Sequence, residues 1–303
     1  MIGVCIVTYN QESYIQQAID SVLVQENIGQ EVRVYVGDDC SSDATGEICQ
    51  GYGEQIIYYK RETNLGLVEN TLLLLEQMLS DGCDYIAMLD GDDYWCDKQK
   101  LKKQIDFLSN QPGCKFVHTS VDILANGKII PSKTSEISCE NVFNRIEGYK
   151  IGNCSVVYES SLLSYLNFNE LRHQGFMSLD YVMYAIFSKY TQFGYIPDHT
   201  AVWRRGHTSV SNPNEANHQI AYIQNDLAMW KYLAYKFPER WTCTEKDLEN
   251  YYHFKAFNIA FRFGEKKLAK TEAKFLSKST FKTKLKILAL RIPGMYSALQ
   301  KFK

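Results

Sequence analysis

Polar residues gather where four successive β-like runs end, and the densest group is Asp90-Gly91-Asp92-Asp93. Two carboxylates one residue apart at a strand exit can share a hard divalent cation. Mg²⁺ or Mn²⁺ held in this way keeps open positions for phosphate oxygens and would neutralise a diphosphate leaving group. The other run ends carry Thr8-Tyr9-Asn10, with Glu12 just beyond, then Asp38-Asp39, then Arg61 and Asn64-Leu65-Gly66. A single carboxylate at a strand end is ordinary, but several converging on one edge define a site, because open parallel sheets bind ligands outside the carboxyl ends of their strands. Helix capping accounts for Asp43 and, by the same reasoning, for Asp93.

Other phosphate chemistries find no support. The chain has no Gly-x-x-x-x-Gly-Lys-Ser/Thr loop, and Gly51-Tyr52-Gly53 follows a helical segment and lacks a third glycine. ATPase and nicotinamide chemistry are therefore set aside.

The elements that must position these residues alternate between β-rich runs and helix-period segments, as in a parallel sheet with crossover helices. Val4–Val7 is apolar on both faces, and Val32–Val36, Ile56–Tyr59 and Tyr85–Leu89 read as further strands. Between them, Ile15, Ala18, Ile19 and Val22 recur at helical spacing, as do Val68, Leu72, Leu75 and Leu79. A helix with Leu101, Ile105 and Leu108 precedes a strand at Phe116–His118. Residues 130–215 read as loops with a strand near Ser155–Tyr158 and a helix near Leu179–Phe187. From residue 216 the chain is helical and aromatic-rich.

A length of 303 residues suits one large α/β domain with additions, or two modest domains. At 45% hydrophobic and 22% charged, the chain is neither disordered nor a nucleic-acid coat. Nine cysteines, an odd number with no Cys-x-x-Cys, predict reduced thiols rather than a disulfide framework or zinc site. With no basic leader and no apolar run of ~20 residues, the expected location is cytoplasmic.

The stretch from Ile2 to about Asp97 resembles glycosyltransferase family 2. Val4–Asn10 is similar to the family's opening strand, and Asp38-Asp39-Cys40-Ser41-Ser42-Asp43-Ala44-Thr45 to its Asp-Asp-Gly-Ser-Thr-Asp-Gly-Thr segment. Asn64-Leu65-Gly66 resembles its Asn-x-Gly, and Asp90-Gly91-Asp92-Asp93 its Asp-x-Asp-Asp element. Cys40 in place of glycine, and Asn70 where many members begin Ala-Arg-Asn, are departures. The resemblance implies the GT-A nucleotide-diphospho-sugar fold, an α/β architecture with a mainly parallel central sheet flanked by helices, here with a helical C-terminal extension. It implies that Thr8, Tyr9, Asn10 and Glu12 lie at the nucleotide-sugar, that Asp38 accepts from a base imide N–H, and that Asp39 braces its loop. It further implies that Arg61, Asn64 and Gly66 line the donor, that Asp90 lies near ribose and metal, and that Asp92 is the direct ligand of Mn²⁺ or Mg²⁺. Asp180 stands where the family places its base, without the usual preceding glutamate. Trp203-Arg204-Arg205-Gly206-His207 resembles a loop near the diphosphate, so Arg204 or Arg205 would meet phosphate and His207 phosphate or metal. Asn153 would line the acceptor side.

The formal charge of −2 conceals two regions. Residues 266–303 carry eleven Lys and Arg against Glu272 alone, an excess of ten positive charges that leaves residues 1–265 at −12. Phe281, Leu285, Leu288 and Ile292 form one apolar face of a basic helix ended by Pro293-Gly294. Such a helix suits an anionic membrane surface, the alternative being a docked terminal helix with a solvated lysine face. No nucleic-acid module accompanies it.

The expected organisation is a catalytic domain over 1–215, with a nucleotide-sugar and metal half (1–97) and an acceptor half (98–215), and a helical extension over 216–303 with the basic tail 266–303. The expected activity is inverting, metal-dependent transfer from a nucleotide diphosphate sugar, UDP-linked on the imide argument, to a glycan or lipid-linked saccharide. The setting would be cytoplasmic or peripheral on the inner face of the cell membrane. A sugar nucleotidyltransferase and an inactive nucleotide-sugar-binding partner are the alternatives. The first lacks its glycine- and arginine-rich opening loop, and the second would lack the base or metal carboxylate.

Overall fold

Ile2-Gly3-Val4-Cys5-Ile6-Val7-Thr8 offers water no polar face, and in the computed structural model β1 (Ile2–Thr8) is buried along its whole length. The structure describes residues 1–132, 136–137, 139, 142, 151–205, 215–241, 243–276, 281–292 and 295–296. It divides into two units, residues 1–206 and 207–303.

In the first unit, β1 pairs in parallel with β2 (Val32–Asp38) on one side and with β4 (Tyr85–Asp90) on the other, while β3 (Ile57–Lys60) extends the sheet beyond β2. The register sets Thr8 opposite Asp38 and Val7 opposite Asp90, so these carboxyl ends are level. The described sheet continues through β8 (Val157–Glu159), β6 (Cys114–Ala125) and β9 (Gln192–Arg205) to β5 (Tyr94–Trp95), with β7 (Lys128–Pro131) paired to β6. The β5–β9 pairing places Tyr94 opposite Val202, and so brings the chain just after Asp90–Asp93 to the end of β9.

Helices follow from their apolar stripes. In α1 (Ile15–Leu23), Ile15, Ala18, Ile19 and Val22 are buried, as their spacing predicts. Next come α2 (Thr45–Gln50) and α3 (Leu67–Ser80). The buried face of α3 runs through Asn70, Thr71, Leu72, Leu74, Leu75 and Met78. Leu79, expected on that stripe, is 41% exposed because the face is centred a residue earlier. The helix α4 (Lys100–Asn110) is followed later by α5 (Phe168–Arg172) and α6 (Asp180–Phe187). After Asp180, every residue of α6 is buried.

Two strands depart from expectation. β6 is twelve residues long rather than three. β9 runs for fourteen residues through a region read as loop. Its pairing with β6 jumps from Ile196 to His199, leaving Pro197 and Asp198 in a bulge. Proline supplies no N–H to the ladder, and a bulge accommodates it.

The second unit contains α7 (Ala216–Lys236), α8 (Glu245–Phe263), α9 (Lys266–Glu272) and α10 (Phe281–Ala289). A Thr244/Asp247 capping box starts α8, and Gly264 at φ 86° ends it. Phe257, Ala260, Phe261, Ala269, Leu290 and Tyr296 form its core. The apolar stripe of α10 is not the side that docks it: Leu285, Leu288 and Ile292 are exposed, whereas Thr283, Ala289 and Leu290 are buried. The side chain of Phe281, and Pro293-Gly294, lie outside the described residues. Among the described residues, no helix is long and apolar enough to cross a membrane, and all nine cysteines are free thiols.

Candidate active site

The loops after β1 and β2 are fastened to each other by their own side chains. The Asn10 N–H donates to Ser41 Oγ (2.8 Å), and Asn10 Oδ1 accepts from the Ser42 N–H (2.8 Å). The Glu12 N–H donates to Asp43 Oδ2, while Glu12 Oε2 accepts from the Ala44 N–H. Thr8 is buried and donates to Gln11 Oε1 (2.8 Å), whereas Tyr9 is 47% exposed on the same loop. Asn10 takes φ 52° and Cys40 φ 66°. Asparagine tolerates that left-handed region, but at Cys40 it is the conformation that favours the family's glycine.

Asp38 and Asp39 divide the support of this edge. Asp38 has no exposed surface, and its oxygens accept from the Ser41 N–H (2.8 Å) and the Tyr58 hydroxyl (2.7 Å). Its two oxygens are thus tied to the loop after β2 and to β3. Asp39 accepts from the N–H groups of Leu65 (2.7 Å) and Gly66 (2.8 Å) and so holds the turn that opens α3, with Asn64 exposed beside it. Gly66 takes φ 86°. Arg61 donates through Nε to Asn70 Oδ1 (2.8 Å), and Asn70, itself buried, donates to the Gly37 carbonyl (2.8 Å). The departure at Asn70 thus fixes the Arg61 side chain.

Carboxylates crowd the end of β4. Burial, then the charges of Asp92 and Asp180, push the Asp90 carboxyl up to about 7, against an opposing hydrogen bond from Asn153. Burial also raises the Asp180 carboxyl, opposed by the Tyr181 N–H and Ser178. The structure therefore brings Asp180, 90 residues further along the sequence, into the electrostatic field of Asp90. Asn153 ties the two sides together: its Nδ2 donates to Asp90 Oδ1 (3.0 Å), and its Oδ1 accepts from the Tyr184 hydroxyl (2.6 Å). Tyr184 lies one helical turn after Asp180, an i, i+4 spacing that carried the only sequence signal for it.

Asp93 is not a helix cap, since α4 begins only at Lys100. It is 2% exposed and accepts the Arg204 N–H (2.8 Å), and burial raises its carboxyl well above the ordinary range. The Arg204 guanidinium donates to the Asp92 carbonyl and to Gln17 Oε1 and lies over the rings of Tyr14 and Tyr94, 5.1 and 4.6 Å from their centroids. Arg204 thus clamps the acidic loop, while the exposed Arg205 stacks on Trp203. Gln11, Gln17, Tyr14 and Tyr184 carry no motif and were not anticipated, and Asn70 was noted only as a departure. His207 lies outside the described residues.

Carboxylate oxygens suit a hard divalent cation, and Asp90 and Asp92, at the end of β4, are the residues that could hold one; among the described residues no cluster of three or more His, Cys, Asp or Glu side chains forms a ready-made metal cage.

The sheet is mixed, and its parallel half, β3-β2-β1-β4, carries the acidic loop at its carboxyl edge. Residues 3–165 match the family described as Glycosyl transferase family 2, and the chain belongs to that family. Among curated relatives, the putative teichuronic acid biosynthesis glycosyltransferase TuaG of Bacillus subtilis is 31% identical over 130 residues, 41% of this chain and 48% of that one. The chain spans about a third of the length, 31%, of the first curated relatives it matches. The fold is shared with S. aureus TarS 1–349 in complex with UDP-GlcNAc (TM-score 0.57, 16% identity, covering 96% of this chain and 91% of that one). It is shared also with the mannosyltransferase PcManGT of Pyrobaculum calidifontis in complex with GDP-Man and Mn²⁺ (TM-score 0.55, 13% identity, covering 99% and 83%).

Proposed function

We propose that this chain transfers a sugar from a nucleotide diphosphate sugar, UDP-linked, to a hydroxyl of a glycan or lipid-linked saccharide, by a single displacement that inverts the anomeric centre. The observation that carries this reading is the meeting of Asp90, Asp92 and Asp180, from two distant parts of the sequence, in one electrostatic cluster. UDP-GlcNAc bound to TarS supports the donor class, and Mn²⁺ with GDP-Man in PcManGT supports the metal and keeps GDP in the test.

Asp92, with Asp90, would hold Mn²⁺ or Mg²⁺, which when bound neutralises charge on the departing diphosphate. Arg204 keeps the acidic loop in place from behind, and Arg205 is the described cation available to phosphate. Asp180 takes the proton of the acceptor hydroxyl. Its raised proton affinity suits a base better than that of an ordinary surface carboxylate. Asn153, through Asp90 and Tyr184, aligns donor loop and base helix and so stands beside the metal carboxylate as well as the acceptor. The site would work at the cytoplasmic face of a membrane.

Thermal shift with UDP, GDP and their sugar conjugates, each with and without Mn²⁺, tests the donor site. Stabilisation by several degrees is expected with one nucleotide, and no shift with any overturns the assignment. Asp180→Asn should lower transfer by about 10²–10⁴-fold while keeping the nucleotide shift, whereas wild-type turnover would remove Asp180 from the mechanism.

A further inference from the structure

The helix α10 buries the side opposite to its stripe of Leu285, Leu288 and Ile292. That inner side carries Thr283 and Leu290, with Ile287 partly buried, and Leu290 and Ile287 pack onto the core that holds Phe257 and Phe261. Lys286 is held on this side, donating to Asn258 Oδ1 (2.6 Å) with its ammonium over the Phe261 ring. The helix is therefore already anchored, and its outer side is free to do something else.

That outer side is apolar at its centre. Leu285 is 38%, Leu288 47% and Ile292 41% exposed, and at 100° per residue they fall within one narrow arc. Exposed cations border the arc on both flanks, with Lys284 and Arg291 along one edge and Lys282 along the other. Lys266, Lys267, Lys270 and Lys274, in and just after α9, are exposed as well. A solvated lysine face would need no leucines at its centre, and the 266–303 segment, eleven cations against Glu272 alone, is complementary to a surface of negative charge.

We propose that Leu285, Leu288 and Ile292 enter the interfacial layer of an anionic lipid bilayer while Lys282, Lys284 and Arg291 meet its phosphates. Three apolar side chains between cations are the pattern of a helix lying in the membrane plane, where leucines reach the acyl boundary and lysine stems keep their ammonium groups at the headgroups. The charge complementarity selects an anionic surface: zwitterionic lipid would offer the leucines but no net field for the cations. The occupant rests on the reading above that the enzyme works at a membrane face, but the geometry is independent of the transfer reaction.

Sedimentation of the full chain with phosphatidylglycerol-containing vesicles and with pure phosphatidylcholine vesicles tests this. Strong binding to the first only, weakened by salt, is expected. Lys282→Gln with Lys284→Gln should lower partitioning by roughly 25-fold, from about fivefold per cation. Leu285→Ser with Leu288→Ser should lower it by at least about tenfold, and these residues are exposed enough for the variants to keep the wild-type melting temperature. Binding unchanged by the leucine pair, equal binding to both vesicles, or binding to duplex DNA in preference to anionic vesicles would each overturn the proposal. A nucleotide thermal shift on the same samples separates the two readings: loss of lipid binding with the shift intact removes only the membrane face, and the reverse removes only the donor site.

Discussion

The behaviour of Asp90 depends on two uncharged neighbours. The Asn153 amide supplies one N–H to the carboxylate, and the Tyr184 hydroxyl locks that amide in the orientation that does so. Tyr184→Phe frees the amide to turn its oxygen toward Asp90, and groups that orient metal ligands in this way typically contribute 10–100-fold to metal affinity. The variant should therefore bind Mn²⁺ about tenfold more weakly, read as the Mn²⁺ concentration giving half-maximal thermal shift, with little change in melting temperature without metal. Proton competition adds a second outcome. With Asp90 titrating at about 7 in the free chain, Mn²⁺ binding should strengthen between pH 6 and pH 8 and release a proton, measurable by titration calorimetry in buffers of different ionisation enthalpy. Buffer-independent heats would show that Asp90 is already ionised and is not the group the metal displaces a proton from.

At the scale of the element, the loops at the sheet edge are held by side chains acting on backbone, and one position works against the rest. Cys40 takes φ 66° and gives only a long contact from its thiol to the Glu62 carbonyl in return. Cys40→Gly should raise stability by about 1 kcal/mol in urea denaturation, and a loss would mean that the thiol contact outweighs the backbone strain. The parallel half of this sheet was legible in the sequence because local signals coincide there: β1 is apolar on both faces, and each strand exit is polar. β9 was hidden by Pro197 and Asp198, which look like a loop and are in fact a bulge inside a fourteen-residue strand. The true work of Asp93 was hidden with it, since its partner, the Arg204 N–H, is 111 residues away and reaches it only through the β5–β9 pairing. In α10 the stripe of Leu285, Leu288 and Ile292 was legible, but which side docks was not, because the choice depends on the core around Phe257 and Phe261, which takes Leu290 and Ile287 instead.

Across the whole molecule, two buried groups of opposite charge set a pH profile for stability. Lys100 has no exposed surface, donates to Gln104 Oε1 (2.6 Å) and lies 4.3 Å from the centre of the Trp95 ring. Burial still drives its ammonium down to about 7. Between pH 7 and the ordinary lysine range the unfolded chain holds a proton that the folded chain has released, so stability rises with pH, by roughly 1 kcal/mol per unit. Asp90 has the opposite sense: from about pH 4 to 7 the folded chain holds a proton that the unfolded chain has lost, so stability falls as pH rises through that window. From about pH 8 the thiols of Cys5, Cys49, Cys83, Cys96, Cys114 and Cys154, all raised chiefly by desolvation, oppose the lysine limb as the unfolded cysteines ionise, and the Asp93 carboxyl, also raised by burial, acts in the same sense as Asp90. Without metal, the melting temperature should therefore fall from about pH 5 to about pH 7 and level off between about pH 7 and about pH 8. Lys100→Met should turn that plateau into a continued fall and leave the acid limb in place. Mn²⁺ should flatten the acid limb alone, because a cation held by Asp90 and Asp92 would favour the ionised carboxylate that burial and neighbouring charge disfavour. A melting profile by scanning fluorimetry from pH 5 to 9, with and without Mn²⁺, resolves the two limbs, and a wild-type curve rising steadily from pH 5 would contradict the assignment of Asp90 as the strained carboxylate of the free site.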